Sequence, residues 1–261
     1  MSKARILAVI WRHLYNFKHR ADRWVDAFYW PAVDILLWGL TSVYIRDLAT
    51  DIPNIVTILL TGLVYWQVVW RSNYEIGVNL LEEIWSDNVV NLFASPLTVL
   101  EWMVAVNLLG ILKMVMTIGF AFSMVFFLYG VNVLQVGWLM IPFVVLLLMN
   151  GWWIGFLVAG FIIRFGSKIQ TLAWSGVYLL APFSAIYYPV SSLPEWVQKV
   201  AAWAPLSYVF EGMRSVLFTG VMDQANLFKS GWLTGVYLMA SMVFFVIMFK
   251  QSKKVGLSSL E

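Results

Sequence analysis

The chain has 261 residues, of which 61% are hydrophobic and 12% are charged, about half the charged fraction of an average soluble domain. Its hydrophobic residues lie in long uncharged runs, which excludes an ordinary soluble globular fold. Because the chain has no Cys, a disulfide framework, a thiolate metal site and a cysteine nucleophile are also excluded, and a net charge of +3 without a basic domain face argues against nucleic-acid binding.

Residues 1–26 are predicted to form an amphipathic helix that lies in the cytoplasmic membrane interface. Apolar side chains recur there at helical spacing, at Ile6, Leu7, Ile10, Trp11, Leu14 and Phe17. The basic side chains can face the opposite way, at Arg12, Lys18, Arg20 and Arg23. No signal-peptide cleavage pattern is evident. Two roles stay open for this helix: an anchor to anionic lipid, or a part in gating or partner contact.

Six transmembrane helices are predicted when the chain is divided at its charges, since a bilayer core of about 30 Å requires about 20 apolar residues in a helix. The predicted spans are residues 27–45, 52–70, 102–129, 133–163, 169–189 and 230–249. The third and fourth are separated at Gly130 and Asn132, which favour a turn. Gly151 and Gly155 form a small-xxx-small pair that predicts close helix packing, within the chain or between two copies. The sequence therefore predicts a single all-α integral membrane domain.

The distribution of Lys and Arg predicts that both termini are cytoplasmic, because basic residues are retained on that side of the membrane. With this orientation the outside carries only Arg46, Lys199, Arg214 and Lys229. The other basic residues of the loops and termini fall on the cytoplasmic side.

The segment from Arg71 to Glu101 is predicted as the sizeable cytoplasmic loop, and it is acidic. It has an apolar stripe at Leu80, Leu81, Ile84, Trp85 and Val89, beside the carboxylates of Glu82, Glu83 and Asp87. This pattern predicts a short helix, over residues 80–92, that presents both kinds of side chain to a cytoplasmic partner. An ordinary interfacial helix between two spans is the alternative.

The external region from Val190 to Lys229 is long but not polar. Pro194 can begin a helix, and Ala204-Pro205 interrupts it after a run that is far too short to span a bilayer. We expect two short re-entrant or interfacial helices here. Irregular backbone at membrane depth is tolerated where protein covers it or where it lines a cavity, so this region is a candidate external gate.

Two charged residues lie well inside predicted spans, Asp34 in the first and Lys113 in the third. Charges at membrane depth are costly and usually functional. Both lie roughly 10 to 18 Å past the cytoplasmic starts of their spans, so they are predicted to form a structural or gating ion pair. The alternative is that Lys113 snorkels to the interface and Asp34 is hydrated near it.

Several aromatic residues are candidates for a substrate path or gate, because their rings can stack on sugars or shield a lipid tail. They are Trp38, Trp174, Tyr178, Tyr187 and Tyr188. Membership of the aromatic belt at the membrane surface is the alternative.

No nucleotide, metal or catalytic site is predicted. Gly166-Ser167-Lys168 is similar to the end of a phosphate-binding loop, but Phe161 stands where that motif requires a glycine. The sequence also lacks a zinc-protease helix, a Gly-x-Ser-x-Gly elbow and a cluster of His and carboxylate residues. We therefore predict that the chain is not an enzyme and binds no cofactor itself.

Three consecutive motifs resemble the signature of the type-2 ABC (ABC-2) transporter permeases. They are Leu193-Pro194-Glu195-Trp196, Trp203-Ala204-Pro205-Leu206-Ser207-Tyr208 and Glu211-Gly212-Met213-Arg214, with Ala204 where the family usually has Asn. The signature positions are thus Pro194, Trp196, Pro205, Glu211, Gly212 and Arg214. The resemblance extends over the whole chain, from the amphipathic helix through six spans to the short external helices.

This resemblance implies a permease subunit of an ATP-driven exporter in a bacterial-type plasma membrane. The helix over residues 80–92 would be the coupling helix that contacts a separate ATPase subunit, and ATP and Mg would bind that partner. The implied contacts are Leu81, Glu82, Glu83, Ile84, Trp85, Asp87 and Asn88. Two permease copies, most simply a homodimer, would work with two ATPases. An amphipathic substrate, a lipid-linked glycan or a drug, would pass along the first and fifth spans.

Two other functions stay open. An ion-coupled carrier or a channel would transport without ATP and would depend on Asp34 or Lys113. A membrane-embedded transferase would require a polar catalytic cluster at one interface, and the sequence shows none.

Overall fold

Every element in residues 1–48, 54–135 and 137–255, which the computed structural model describes, is helical. The helices are α1 (Lys3–His19), α2 (Ala21–Trp24), α3 (Trp30–Leu48), α4 (Ile55–Trp85), α5 (Val89–Ala94), α6 (Val99–Tyr129), α7 (Ile141–Phe165), α8 (Leu172–Ser175), α9 (Glu195–Ala201), α10 (Pro205–Thr219) and α11 (Gln224–Val255). Short turns of other helix types occupy Val25–Tyr29, Gly137–Met140, Gly166–Ile169, Val177–Leu179, Ala181–Phe183 and Val190–Ser192. The prediction of an all-α protein is confirmed.

In the described part of the chain, five helical segments are long and apolar enough to cross a membrane. They are Ala21–Leu48, which contains α3, then Ile55–Trp85, Val99–Tyr129, Gly137–Ile169 and Gln224–Lys254. Each overlaps one predicted span. The chain is therefore a multi-pass membrane protein, and the count of six crossings stays a prediction.

Helix α4 is the centre of the fold. Nearly all of its side chains are buried, polar ones included. It packs against α3, α6 and α7, and α7 in turn packs against α11. A membrane helix enclosed on so many sides cannot rely on lipid for its apolar contacts, so its neighbours set its position.

Helix α4 is longer than the predicted second span, residues 52–70. Residues 52 and 53 lie outside the described part of the chain, and α4 continues past the predicted end to Trp85. Division at Arg71 was wrong because Arg71 pairs with Glu75 inside the protein instead of ending the helix at water. The helix predicted over residues 80–92 is therefore two pieces. One is the end of α4, and the other is α5, which begins after a turn where Asp87 has a φ of 53°.

Close packing of α7 on α4 depends on two glycines. A Cβ on Gly151 would lie 2.7 Å from the carbonyl oxygen of Val69 and would also collide with Ser72. A Cβ on Gly155 would lie 2.7 Å from Ile76 Cδ1. The small-xxx-small pair thus packs within the chain, and the alternative of a seam between two copies is wrong for these residues.

The predicted fifth span, residues 169–189, is not one continuous helix. It consists of α8 and several single turns, because Gly176 and Pro182 fall within it and proline cannot donate a helical hydrogen bond. The segment nevertheless follows α4 along its length: Gln170 accepts a hydrogen bond from Trp85, and the carbonyl of Ile186 packs on Gly62. From residue 85 to residue 62, α4 rises roughly 35 Å, which is about the thickness of a bilayer core.

Helices α9 and α10 correspond to the two short helices predicted before the last span. The connection between α9 and α10 packs on α11, where the hydroxyl of Tyr237 donates to the carbonyl of Trp203 at 2.9 Å. Ser230 donates to the carbonyl of Pro205 at 3.1 Å, and Ser207 donates to that of Ala204 at 2.7 Å. The hydroxyl of Tyr237 thus satisfies a carbonyl that the break in the helix leaves free, and the two serine hydroxyls add hydrogen bonds to neighbouring carbonyls.

We predict that Gly155→Ala destabilises the protein by about 1 to 3 kcal/mol, because the new methyl group overpacks the contact with α4. The thermal unfolding midpoint in detergent should fall accordingly. The matched control is Gly119→Ala, since a Cβ at Gly119 has no atom of the described residues within 4 Å. An equal effect of both substitutions would contradict the packing described here.

Candidate substrate path and partner surface

Helix α1 is held by ion pairs on the end of α4 that is predicted to be cytoplasmic. Both carboxylate oxygens of Glu83 accept from Arg12 Nη2 at 2.6 Å. Glu82 pairs with Arg23 and accepts from Arg20 Nη1 at 3.1 Å. Since Glu83 and Arg23 are buried, removing one partner would leave a charge that water does not compensate, so these pairs hold α1 more firmly than surface ion pairs would.

The expected orientation of α1 is therefore partly reversed. Arg12 and Arg23 turn toward α4, whereas Trp11 is 69% exposed and Leu7 and Tyr15 are exposed beside it. The carboxylates of α4 attract the arginines inward, which leaves an apolar stripe on the outer face. Tryptophan and tyrosine favour the headgroup region of a membrane, so this face suits an interfacial helix.

These contacts correct the predicted partner surface. Glu82 and Glu83 face α1, and Leu81 and Ile84 are buried in the body of the protein. Asn88 donates to Glu83 at 2.6 Å. Of the seven implied contact residues, only Trp85 and Asp87 are exposed.

Helix α5 presents the exposed surface at that end of the protein instead. Val89 and Phe93 are buried, and the ring of Phe93 meets that of Phe249 edge to face at 4.6 Å. Val90, Asn91 and Ala94 point away from the protein, and Val90 is 45% exposed. A short apolar patch is thereby fixed to the ends of α4, α6 and α11.

The predicted ion pair between Asp34 and Lys113 is wrong. Lys113 Nζ donates to Glu75 Oε2 at 2.7 Å, and Glu75 Oε1 lies 2.8 Å from Arg71 Nη2. All three side chains of this triad are buried. Asp34 accepts a hydrogen bond from Gln67 Nε2 at 3.3 Å. Lys113 meets Glu75 because α6 packs directly on α4 at that level, where Gly110 faces the Glu75 side chain.

Glu75 is a buried ion-pair residue that sequence reasoning missed, since the charges after Arg71 predict a loop there. A helical signal was present: Arg71, Glu75 and Asn79 are spaced at i and i+4, and Asn79 donates to Glu75 at 3.1 Å. Continuing that spacing leads to Glu83. One face of α4 thus carries its polar residues from the middle of the fold to the end that holds α1.

Several aromatic rings lie near Asp34, where α3 faces the broken fifth segment. Trp38 stacks on Tyr187 with ring centroids 4.5 Å apart. Tyr178 is 50% exposed, and its ring lies 6.4 Å from that of Trp66. Asp34 is near enough to Tyr178 and Tyr187 to act on both hydroxyl groups electrostatically.

The other two aromatic candidates lie elsewhere. Trp174 stacks on Trp85 at the end of α4, with centroids 6.2 Å apart. Tyr188 donates to the carbonyl of Pro182 at 2.9 Å, within its own segment. The structure therefore groups Trp38, Tyr178 and Tyr187 around Asp34 and leaves Trp174 and Tyr188 outside that group.

The signature residues near the predicted external side hold the irregular backbone in place. Glu211 accepts from the backbone N–H of Val190 at 2.6 Å, and Arg214 donates to the carbonyl of Ala185 at 2.8 Å. Arg214 and Glu211 also pair at 3.2 Å. This pair fixes the end of the broken segment, including Ala185 with a φ of 54°.

The remaining signature residues shape the short helices. Pro194 precedes the first residue of α9, and Pro205 is the first residue of α10, where its missing N–H costs nothing. Gly212 lies against Phe143, to which a Cβ would come within 2.7 Å. Trp196 is exposed.

The model of the family described as ABC-2 type transporter matches residues 6–218, which cover α1 through most of α10. The chain belongs to the ABC-2 type transporter family. It is a permease component of an ABC-type transporter, as the signature motifs implied. A comparison with individual curated proteins gave no match.

We predict that Lys113 and Glu75 are energetically coupled in a double-mutant cycle. Lys113→Met combined with Glu75→Gln should give an interaction energy above about 1 kcal/mol, because the two side chains share one buried network. Lys113→Met combined with Asp34→Asn should be additive within about 0.5 kcal/mol. Thermal unfolding in detergent measures both cycles, and the reverse pattern would restore the pair predicted from the sequence.

We also predict that Glu82→Gln combined with Glu83→Gln releases α1 from α4. Amide hydrogen exchange in residues 3–19 should become faster, since the arginines lose their charged acceptors. Asp87→Asn is the matched control, because Asp87 is exposed on the adjacent turn. Unchanged exchange in the double variant would show that these ion pairs are not required to hold α1.

Proposed function

We propose that the chain is the membrane subunit of an ATP-driven exporter whose ATPase is a separate polypeptide. The observation that carries the proposal is α5, a short exposed helix fixed between the ends of two 31-residue helices, in a chain that belongs to the ABC-2 family. A rigidly mounted surface of this kind can transmit force from a partner to both helices. ATP and Mg would bind the ATPase.

The docking surface we propose comprises Trp85, Asp87, Val90, Asn91 and Ala94. These side chains are exposed on consecutive turns around α5. Their mixture of apolar and polar groups suits a protein partner, since interfaces combine an apolar centre with a polar rim. Glu82 and Glu83 would act indirectly, by holding α1 beside this surface.

We further propose that both termini are cytoplasmic in a bacterial-type plasma membrane, and that the broken fifth segment is the sixth crossing. The excess of Lys and Arg at the two ends of the chain supports this orientation. Following the family, two copies would assemble with two ATPases, and the substrate would pass along α3 and the broken segment. Amphipathic molecules fit a face that combines apolar rings with Asp34.

We predict that Val90→Arg reduces co-purification of the chain with its cognate ATPase at least tenfold, because a buried charge replaces an apolar contact at the centre of the surface. Val221→Arg is the matched control, since Val221 is 64% exposed and lies between α10 and α11, far from α5 along the chain. Affinity capture of the tagged full chain, followed by ATP hydrolysis in lipid nanodiscs, measures both variants.

Loss of the ATPase from Val90→Arg alone supports the proposal. If the wild-type chain captures no ATPase from any encoded candidate, and moves solute in vesicles without nucleotide, the ion-coupled carrier replaces it. Equal capture by both variants would place the docking surface elsewhere.

A further inference from the structure

Asp34 differs from Glu75, the buried carboxylate at the centre of the membrane domain. Arg71 and Lys113 compensate the charge of Glu75, so Glu75 requires no cationic ligand. Asp34, in contrast, belongs to none of the ion pairs formed within residues 1–48, 54–135 and 137–255. Its hydrogen-bond donor in that part of the chain is the Gln67 amide, at the long distance of 3.3 Å.

An ionised carboxylate at membrane depth is costly unless a cation or several hydrogen bonds compensate it. One neutral amide at 3.3 Å supplies little of that compensation. The carboxylate of Asp34 lies on a face of α3 where it is partly accessible, whereas Glu75 is enclosed in the interior. The position is therefore suited to a positive charge that arrives from outside the chain.

The surrounding rings favour the same kind of ligand. The faces of Tyr and Trp rings attract cations, and cages of such rings recognise quaternary ammonium groups. Trp38, about one turn after Asp34 on α3, stacks on Tyr187, and Tyr178 offers a half-exposed ring. An uncharged sugar could stack on these rings, but it would leave the carboxylate charge uncompensated.

We propose that Asp34, with Gln67, Trp38, Tyr178 and Tyr187, binds the cationic head of an amphipathic organic cation. The inference rests on the proposed function, because it names the substrate class of that exporter. The apolar part of the molecule would lie on Leu37, an exposed leucine of the same helix that follows Asp34 by about one turn. Gln67 holds the carboxylate in position, and the rings exclude water around the charge.

The test uses a pair of probes with the same shape and opposite charge, tetraphenylphosphonium and tetraphenylborate. Their binding is measured by equilibrium dialysis against the full-length chain in nanodiscs, with empty nanodiscs as the background. We expect saturable binding of tetraphenylphosphonium, at least tenfold weaker in Asp34→Asn and largely kept in Asp34→Glu. Trp38→Leu should weaken it several-fold, because one ring of the stacked pair is removed.

Asp47→Asn is the matched control, since Asp47 is an exposed carboxylate of the same helix that already pairs with Arg46. It should bind the probe as the wild type does. Equal loss in Asp47→Asn, equal affinity of Asp34→Asn and wild type, or equally tight binding of tetraphenylborate would each overturn the inference. A thermal unfolding curve for each variant separates lost binding from lost folding.

Because this binding is measured without an ATPase, its failure is distinguishable from failure of the proposed function. Capture of an ATPase together with charge-independent probe binding would leave the exporter and remove the cation site. Charge-dependent binding without any captured ATPase would keep the cation site and assign it to a carrier of another kind.

Discussion

The buried triad of Glu75, Arg71 and Lys113 is the interaction on which the rest of the structure depends. Removing these charges from water is costly, so Arg71 and Lys113 are stable here only because Glu75 compensates them. The triad fixes α6 against α4 at one level, because Lys113 must reach Glu75 at 2.7 Å. Charged groups that pair inside the protein also allow α4 to continue as a helix where the sequence reads like a loop.

Two faces of α4 then have different roles. The face that includes Val69, Ser72 and Ile76 receives α7, whose Gly151 and Gly155 permit close contact. The polar face leads from Glu75 through Asn79 to Glu83 and so reaches α1. A shift of α4 would therefore act at once on the centre of the membrane domain and on the edge where α1 lies.

The N-terminal helix α1 contacts both helices that flank the proposed docking surface, α4 and α6. Arg12 of α1 holds the end of α4, while Arg5 pairs with Glu101 at the start of α6 at 2.7 Å and donates to the carbonyl of Pro96. Helix α5 lies between the end of α4 and the start of α6. A partner that pushes on α5 consequently meets a segment braced at both ends, which favours transmission of movement over local bending.

Hydropathy was sufficient to predict the all-α membrane class, since uncharged apolar runs of this length are typical of helices that cross a bilayer. The signature motifs were sufficient for the family, and the prolines were sufficient for the two short helices α9 and α10. The ion-pair partner of Lys113 was not predictable. It depends on the rotation of α6 against α4, and the sequence contains no measure of that rotation. Division at charges failed at Arg71 for the same reason.

The broken fifth segment shows why the candidate site lies where it does. The short turns around Gly176 and Pro182 bring Tyr178 and Tyr187 to different depths on the same face. Such backbone is tolerated only where other groups support it. Here α4 supports it along its length, and Glu211 and Arg214 hold its far end. The signature residues thus act on the candidate site from outside it: they keep an irregular segment in one conformation, so that Asp34 and the aromatic rings share one face of the protein.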